Sequence, residues 1–174
     1  LKSLDQMDRV IYCGTFSKVM FPGLRLAYAV VPLGAVPRFQ AVCASLNAGC
    51  PYLFQAGLAD FIVQGHFSRH LKRMRLLYAE RRAVFVRALE QVFGSRLQIE
   101  LQPGGLSVVA KLAAHEEDAL LADRARAAGF GIQALSRWYL DAPPQRGLLL
   151  GFANVADAAM AKRLALRLKK AMEG

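Results

Sequence analysis

Four residues in the segment YCGTFSKVMFPGLRLAYAVV (12–31) carry side chains that could do chemistry together: Thr15, Ser17, Lys18 and Arg25. They lie in a polar break between two apolar runs, a setting where lysine and arginine are rare unless paired or reactive. An amine on a short turn between buried strands can be desolvated, which lowers its pKa and leaves a neutral nucleophile able to form a Schiff base with a carbonyl. The hydroxyls of Thr15 and Ser17 and the guanidinium of Arg25 suit a phosphate, arginine giving two parallel charge-assisted hydrogen bonds. A phosphorylated aldehyde would satisfy every polar group of the loop.

The flanking runs, 9–13 and 24–32, are rich in β-branched and aromatic residues and bounded by Gly and Pro, so they read as buried strands of a sheet covered on both faces. From Gly34 to Gly94 the pattern turns helical in three pieces, 35–46, 52–64 and 67–93. In the last piece Leu71, Met74, Leu77, Tyr78, Val84, Phe85 and Leu89 recur at three- and four-residue spacing. Beyond it come short strands near 97–101, 106–112, 130–133 and 147–153, with helices at 115–128 and 155–172. This gives an α/β chain in two parts: residues 1–92, the rear of a large domain with a long interdomain helix, and residues 93–174, a small α+β domain. One pair of strands is few for a sheet, so the beginning of the large domain is expected to lie outside this sequence.

The loop now resembles a known signature. TFSK followed by P-G-L-R, with lysine and arginine seven apart, looks like the cofactor-lysine motif of fold-type I enzymes that use pyridoxal 5'-phosphate. That resemblance implies that Lys18 carries the aldimine, that Thr15 and Arg25 bind the phosphate, and that Ser17 adds a further contact. RVIYCGTFSKVMFPGLRLAYAVVP (9–32), QAGLADFIVQGHFSRHLKRMRLLYAERR (55–82) and GLLLGFANV (147–155) are similar to the effector domain of MocR-type regulators of the GntR superfamily. Such regulators join a winged helix-turn-helix domain to an aminotransferase-like domain. The resemblance therefore implies a partial fold-type I transferase fold and a homodimer with sites at the subunit interface. It further implies a small amine, amino acid or cofactor-related effector, and DNA contact through an N-terminal domain outside these residues. An incoming amine would displace Lys18 from the cofactor. A working class I/II aminotransferase acting on an amino acid or amine is the alternative, and a cofactor-free dimerisation scaffold a third reading.

Two departures weigh on activity. Aminotransferases usually clamp the substrate carboxylate with an arginine before a short final strand, and here Leu149 stands in that place. Loss of a bidentate clamp weakens both affinity and orientation for an ordinary α-amino acid, unless Arg146 or Arg137 substitutes. In family order, the aspartate that pairs with the pyridine nitrogen, the aromatic that stacks on the ring and a glycine-containing phosphate turn all precede the lysine. Asp5 and Asp8 are too close to Lys18 to be that aspartate. Genuine transaminase activity is thus doubtful.

Composition bounds the rest. The chain has 174 residues, 55% hydrophobic, with a net charge of +10, enough for a real core. No apolar run reaches membrane-span length and the start lacks signal-peptide order, so a cytoplasmic protein is expected. Much of the charge lies in RHLKRMRLLYAERR (69–82), read as a solvated or subunit-facing helix, since no aromatic platform or DNA-reading motif accompanies it. Cys13, Cys43 and Cys50 form no C-x-x-C pair and read as buried free thiols. His66 and His70 are four apart but lack a third metal ligand and read as helix-surface histidines. Gly104 and Gly105 read as a turn, HEED (115–118) as a helix N-terminus suiting the dipole, and Trp138 and Tyr139 as packing residues more than pocket lining.

Overall fold

The computed structural model describes residues 2–46, 49 and 51–174. It divides into two compact units, Leu1–Lys72 and Arg73–Gly174, a division twenty residues before the 92/93 boundary read from the sequence. Cys50 lies outside the described residues.

In the first unit a two-stranded antiparallel sheet, β1 (Tyr12–Thr15) and β2 (Ala27–Val30), pairs Tyr12 with Val30 through Thr15 with Ala27. Helices α1 (Val36–Leu46), α2 (Tyr52–Val63) and the start of α3 (His66–Phe93) follow. The three helices sit close to the expected ranges because periodicity is a strong signal over ten or more residues. The strands differ from expectation in burial. Tyr12, Tyr28 and Val30 are 50%, 43% and 45% exposed, and among the described residues of this unit only Leu26 and Leu58 are buried. A two-stranded ribbon has no inner strand, so apolar residues that would fill a covered sheet stay at the surface. The thiols follow suit: Cys13 and Cys43 are free and exposed, not buried.

The second unit holds the core. Four antiparallel strands, β3 (Gln98–Glu100), β4 (Ser107–Lys111), β5 (Gln133–Ala134) and β6 (Gly147–Gly151), are ordered β3-β4-β6-β5. Burial alternates along them, so Val108, Ala110, Ala134, Leu148 and Leu150 face inward. They cluster with Phe85, Leu89 and Phe93 of α3, with Leu121 and Ala125 of α4 (Asp118–Ala127), and with Ala161, Ala165, Leu168 and Met172 of α5 (Ala158–Glu173). The Asp157 carboxylate caps α5 by accepting from the Met160 N–H at 2.7 Å. Helix α4 closes on Gly129 at φ +87, with the Gly129 N–H donating to the Arg126 carbonyl and the Phe130 N–H to that of Ala125, a left-handed stop that glycine adopts without strain.

Gly147 opens β6 close against β4. A Cβ there would lie 2.8 Å from the Ala110 carbonyl oxygen and 3.3 Å from the Lys111 Cα, both backbone. Gly147→Ala is therefore expected to destabilise the unit by about 1–3 kcal/mol, the usual range for forced overpacking, read as a lower urea midpoint; an unchanged midpoint would show that the β4–β6 pair relaxes freely.

Candidate functional site

Ser17, Lys18 and Arg25 lie on the single connection between β1 and β2, and Thr15, the last residue of β1, stands at its start. The Phe16 N–H donates to the Leu26 carbonyl at 3.0 Å and the Thr15 hydroxyl to the same carbonyl at 3.4 Å, while the Ser17 N–H donates to Thr15 Oγ1 at 3.2 Å. These bonds pinch the base of the connection. Above them the Met20 N–H reaches the Phe16 carbonyl at 2.8 Å, closing one tight turn with Lys18 on it. A short 3-10 turn, Pro22–Leu24, then delivers Arg25 in the left-handed region at φ 50. That conformation is uncommon for a residue with a Cβ and clusters at functional sites.

Lys18 and Arg25 are both exposed, so the desolvation expected from buried flanking strands is not supplied by the described residues. Neither the Lys18 amine nor the Arg25 guanidinium has a hydrogen-bond or ion-pair partner among the described residues. Each is free for a ligand.

The turn is braced from α3 in a way the sequence did not reveal. The His70 Nε2–H donates to the Val19 carbonyl at 2.8 Å, and the Phe67 ring stands edge-on to Phe16 at 5.8 Å, with the Tyr28 ring also 5.5 Å from Phe16. His70 thus serves the loop; no group of three metal-ligating side chains occurs among the described residues. His66 stacks on Phe61 at 5.5 Å and meets Arg69 at 2.8 Å. Asp5 accepts the Met7, Arg9 and Val10 N–H groups, bonds that hold its carboxyl well below the usual range and fix the approach to β1.

Leu149 sits in β6 between Val109 and Gln133, half-buried on the sheet face opposite the core residues Leu148 and Leu150. The two candidate substitutes for the missing arginine are engaged elsewhere. Arg137 pairs with both oxygens of Asp123 at 3.1 Å. Arg146 pairs with Asp118 at 3.3 Å and Glu117 at 3.4 Å. Asp118 is the signal that HEED concealed: α4 begins there, but the carboxylate points inward, fully buried, to accept from the Ser136 N–H, the Ser136 hydroxyl and the Gly147 N–H. Trp138 is 65% exposed beside Gln133 and Arg137, so it is not a core-packing residue; Tyr139 is half-buried.

The chain has an aminotransferase-like, fold-type I α/β fold, as its match to solved aminotransferases shows. The chain belongs to the aminotransferase class I and II family, whose pattern matches residues 1–139. It is 39% identical over 160 residues to the rhizopine catabolism regulatory protein MocR of Rhizobium meliloti, covering 92% of this chain and 32% of that protein. It is 36% identical over 170 residues to the HTH-type transcriptional regulator TauR of Rhodobacter capsulatus, covering 95% and 34%. The chain thus spans about a third of the length of these relatives. Among solved structures, LysN, the α-aminoadipate aminotransferase of Thermus thermophilus complexed with N-(5'-phosphopyridoxyl)-L-leucine, matches with a TM-score of 0.80 at 27% identity, over 95% of this chain and 42% of that one. Kynurenine aminotransferase of Pyrococcus horikoshii shares the fold at a TM-score of 0.85 and 24% identity, over 99% and 42%. No helix among the described residues is long and apolar enough to cross a membrane.

Proposed function

We propose that this chain is the C-terminal part of a MocR-type transcriptional regulator and forms the pyridoxal-phosphate-binding, effector-sensing domain of that protein. The observation that carries the reading is the similarity to regulators along 92% of the chain, joined to a loop whose free amine, free guanidinium and hydroxyls match the two ends of the cofactor. In this reading the polypeptide is a cytoplasmic homodimer that meets DNA through an N-terminal domain and takes a small amine, amino acid or cofactor-related effector. The parts of the site that precede the lysine in family order come from residues outside this chain.

The donor chemistry of the loop fits the cofactor. Bound there, pyridoxal phosphate would supply an electrophilic aldehyde carbon and an electron-withdrawing ring. Lys18 would hold the aldehyde end through Nζ, which its exposed turn leaves unencumbered. Arg25 would give two parallel N–H bonds to phosphate oxygens, and the Ser17 hydroxyl a third. Thr15 joins them only by releasing its 3.4 Å bond to Leu26, a length at the weak end for a hydroxyl. Domain boundaries at 92/93 remain the functional division in this reading, with α3 connecting the parts.

A working aminotransferase is the second reading, favoured by the phosphopyridoxyl-leucine complex of the LysN neighbour. Leu149 argues against it, because a half-buried leucine with Arg146 and Arg137 both ion-paired leaves no ready cation on β6 or its approach for a substrate carboxylate. The test is direct. Adding the cofactor to the full-length polypeptide should give a visible absorption band, and borohydride reduction followed by peptide mapping should place the adduct on Lys18. A band without 2-oxoacid-dependent turnover supports the regulator. Turnover supports the enzyme, and no adduct on intact protein supports a scaffold and overturns both.

A further inference from the structure

We propose that the solvent face of α5 is a second nucleic-acid contact, a sequence-independent clamp for the phosphate backbone of a duplex. The choice of polyanion rests on the regulator reading above, whereas the surface itself is read from the fold. Along α5 the residues Ala161, Ala165, Leu168 and Met172 are buried in the core of the second unit. Lys162, Arg163, Leu166, Arg167 and Lys170 are exposed on the other side. Lys162, Arg163 and Lys170 have no ion-pair or hydrogen-bond partner among the described residues. Arg167 is already placed, donating to the Ala128 carbonyl at 3.2 Å and lying over the Phe130 ring at 5.3 Å.

Within α5 Glu173 at the end is the one acidic residue, and Asp157 just before the helix is engaged as its N-cap. Elsewhere in the second unit Glu100, Glu116, Glu117, Asp118 and Asp123 are each paired with Lys111, Arg96, Arg146 or Arg137 and Arg126. The basic stretch of α3 is different, because Glu80 and Glu90 interrupt the exposed row that holds Arg73 and Arg87. From Lys162 to Lys170 the helix rises about 12 Å, enough to follow several phosphates of one strand spaced about 3.4 Å apart along the axis. A lipid surface fits poorly, since an interfacial helix must bury its apolar face in the membrane and that face of α5 already fills the core.

The test measures fluorescence anisotropy of a 20-base-pair (about two helical turns) random-sequence duplex with this 174-residue chain at several salt concentrations. The variant Lys162→Gln/Arg163→Gln/Lys170→Gln should lower the slope of log affinity against log salt by about 2.7, or 0.9 for each lost phosphate contact. Over a fourfold rise in salt the parent should then lose about 40-fold more affinity than the variant. A matched variant, Arg73→Gln/Arg75→Gln/Arg87→Gln, removes the same charge from α3 and should keep most of the slope. All six side chains are exposed, so both variants should keep the parent's circular dichroism; if the α5 triple unfolds, Lys170→Gln alone should still lower the slope by about 0.9. No duplex binding by the parent, equal losses from both triples, or equal binding of polyglutamate or duplex-free anionic vesicles would overturn the proposal. An adduct missing from Lys18 would remove the regulator reading without touching these slopes, so the two can fail separately.

Discussion

A Lys18→Ala substitution in the full-length polypeptide is expected to abolish the effector response while leaving the fold and the effector-free DNA affinity intact. The side chain is exposed and makes no hydrogen bond or ion pair among the described residues, and substitutions at such positions usually change stability by less than about 0.5 kcal/mol. Loss of response would therefore report chemistry, not unfolding. A regulator of this kind works only if its ligand binds two arrangements of the protein differently, and such coupling is commonly worth about 1–3 kcal/mol, or 5–150-fold in affinity. That factor should vanish in Lys18→Ala, measured as DNA affinity with and without a panel of amines. Lys18→Arg separates charge from nucleophilicity: it keeps the cation but cannot form a Schiff base, and should fail as completely. An amine-dependent shift that survived either change would sink the proposed role of Lys18.

The parts of this protein that could be read from its residues are those governed by local rules. Helices α1, α2 and α3 announce themselves by three- and four-residue apolar spacing, and the strands of the second unit by short apolar runs between turns. The loop from Thr15 to Arg25 stands out in the sequence as a candidate phosphate and carbonyl site, the role proposed for it above, because a lysine, an arginine and two hydroxyls fall within eleven residues. What the sequence hid depends on neighbours. Tyr12, Tyr28 and Val30 are strand residues in type, yet their burial is set by how many strands lie beside them, and in a two-stranded ribbon they stay exposed. Cys13 of β1 surfaced for the same reason, and Cys43 lies exposed on α1. His70 gave no sign of reaching the Val19 carbonyl fifty-one residues earlier, since nothing local marks a long-range hydrogen bond. Trp138 ends a short 3-10 turn, Leu135–Trp138, whose direction no periodicity encodes.

Asp118 is the sharpest of these hidden residues, and its removal should cost the most stability. Its carboxylate ties the start of α4 to Ser136 after β5 and to Gly147 at the start of β6, with Arg146 as counter-ion. Asp118→Ala leaves the Gly147 and Ser136 N–H groups without acceptors and strips Arg146 of its buried partner. Arg146 keeps Glu117, so the loss lies mainly in the N–H groups left without acceptors, about 1–3 kcal/mol for each, a large share of the roughly 5–15 kcal/mol that holds a typical domain. The second unit should unfold at a much lower urea concentration, and Asp118→Asn should fall between, since one amide edge must then face a donor. The pH dependence has a definite sign. Burial pushes the Asp118 pKa up, but the bonds from Ser136, Gly147 and Arg146 outweigh it and hold the group below its ordinary value. A carboxylate depressed in the folded state adds stability fully present above its unfolded pKa of about 4 and lost as the pH falls through the folded value. The parent should therefore lose stability on acidification over a range where Asp118→Ala changes less. Parallel acid limbs in parent and variant would mean that the buried carboxylate is not what holds β6 in register, and with it the placement of Leu149 two residues beyond Gly147.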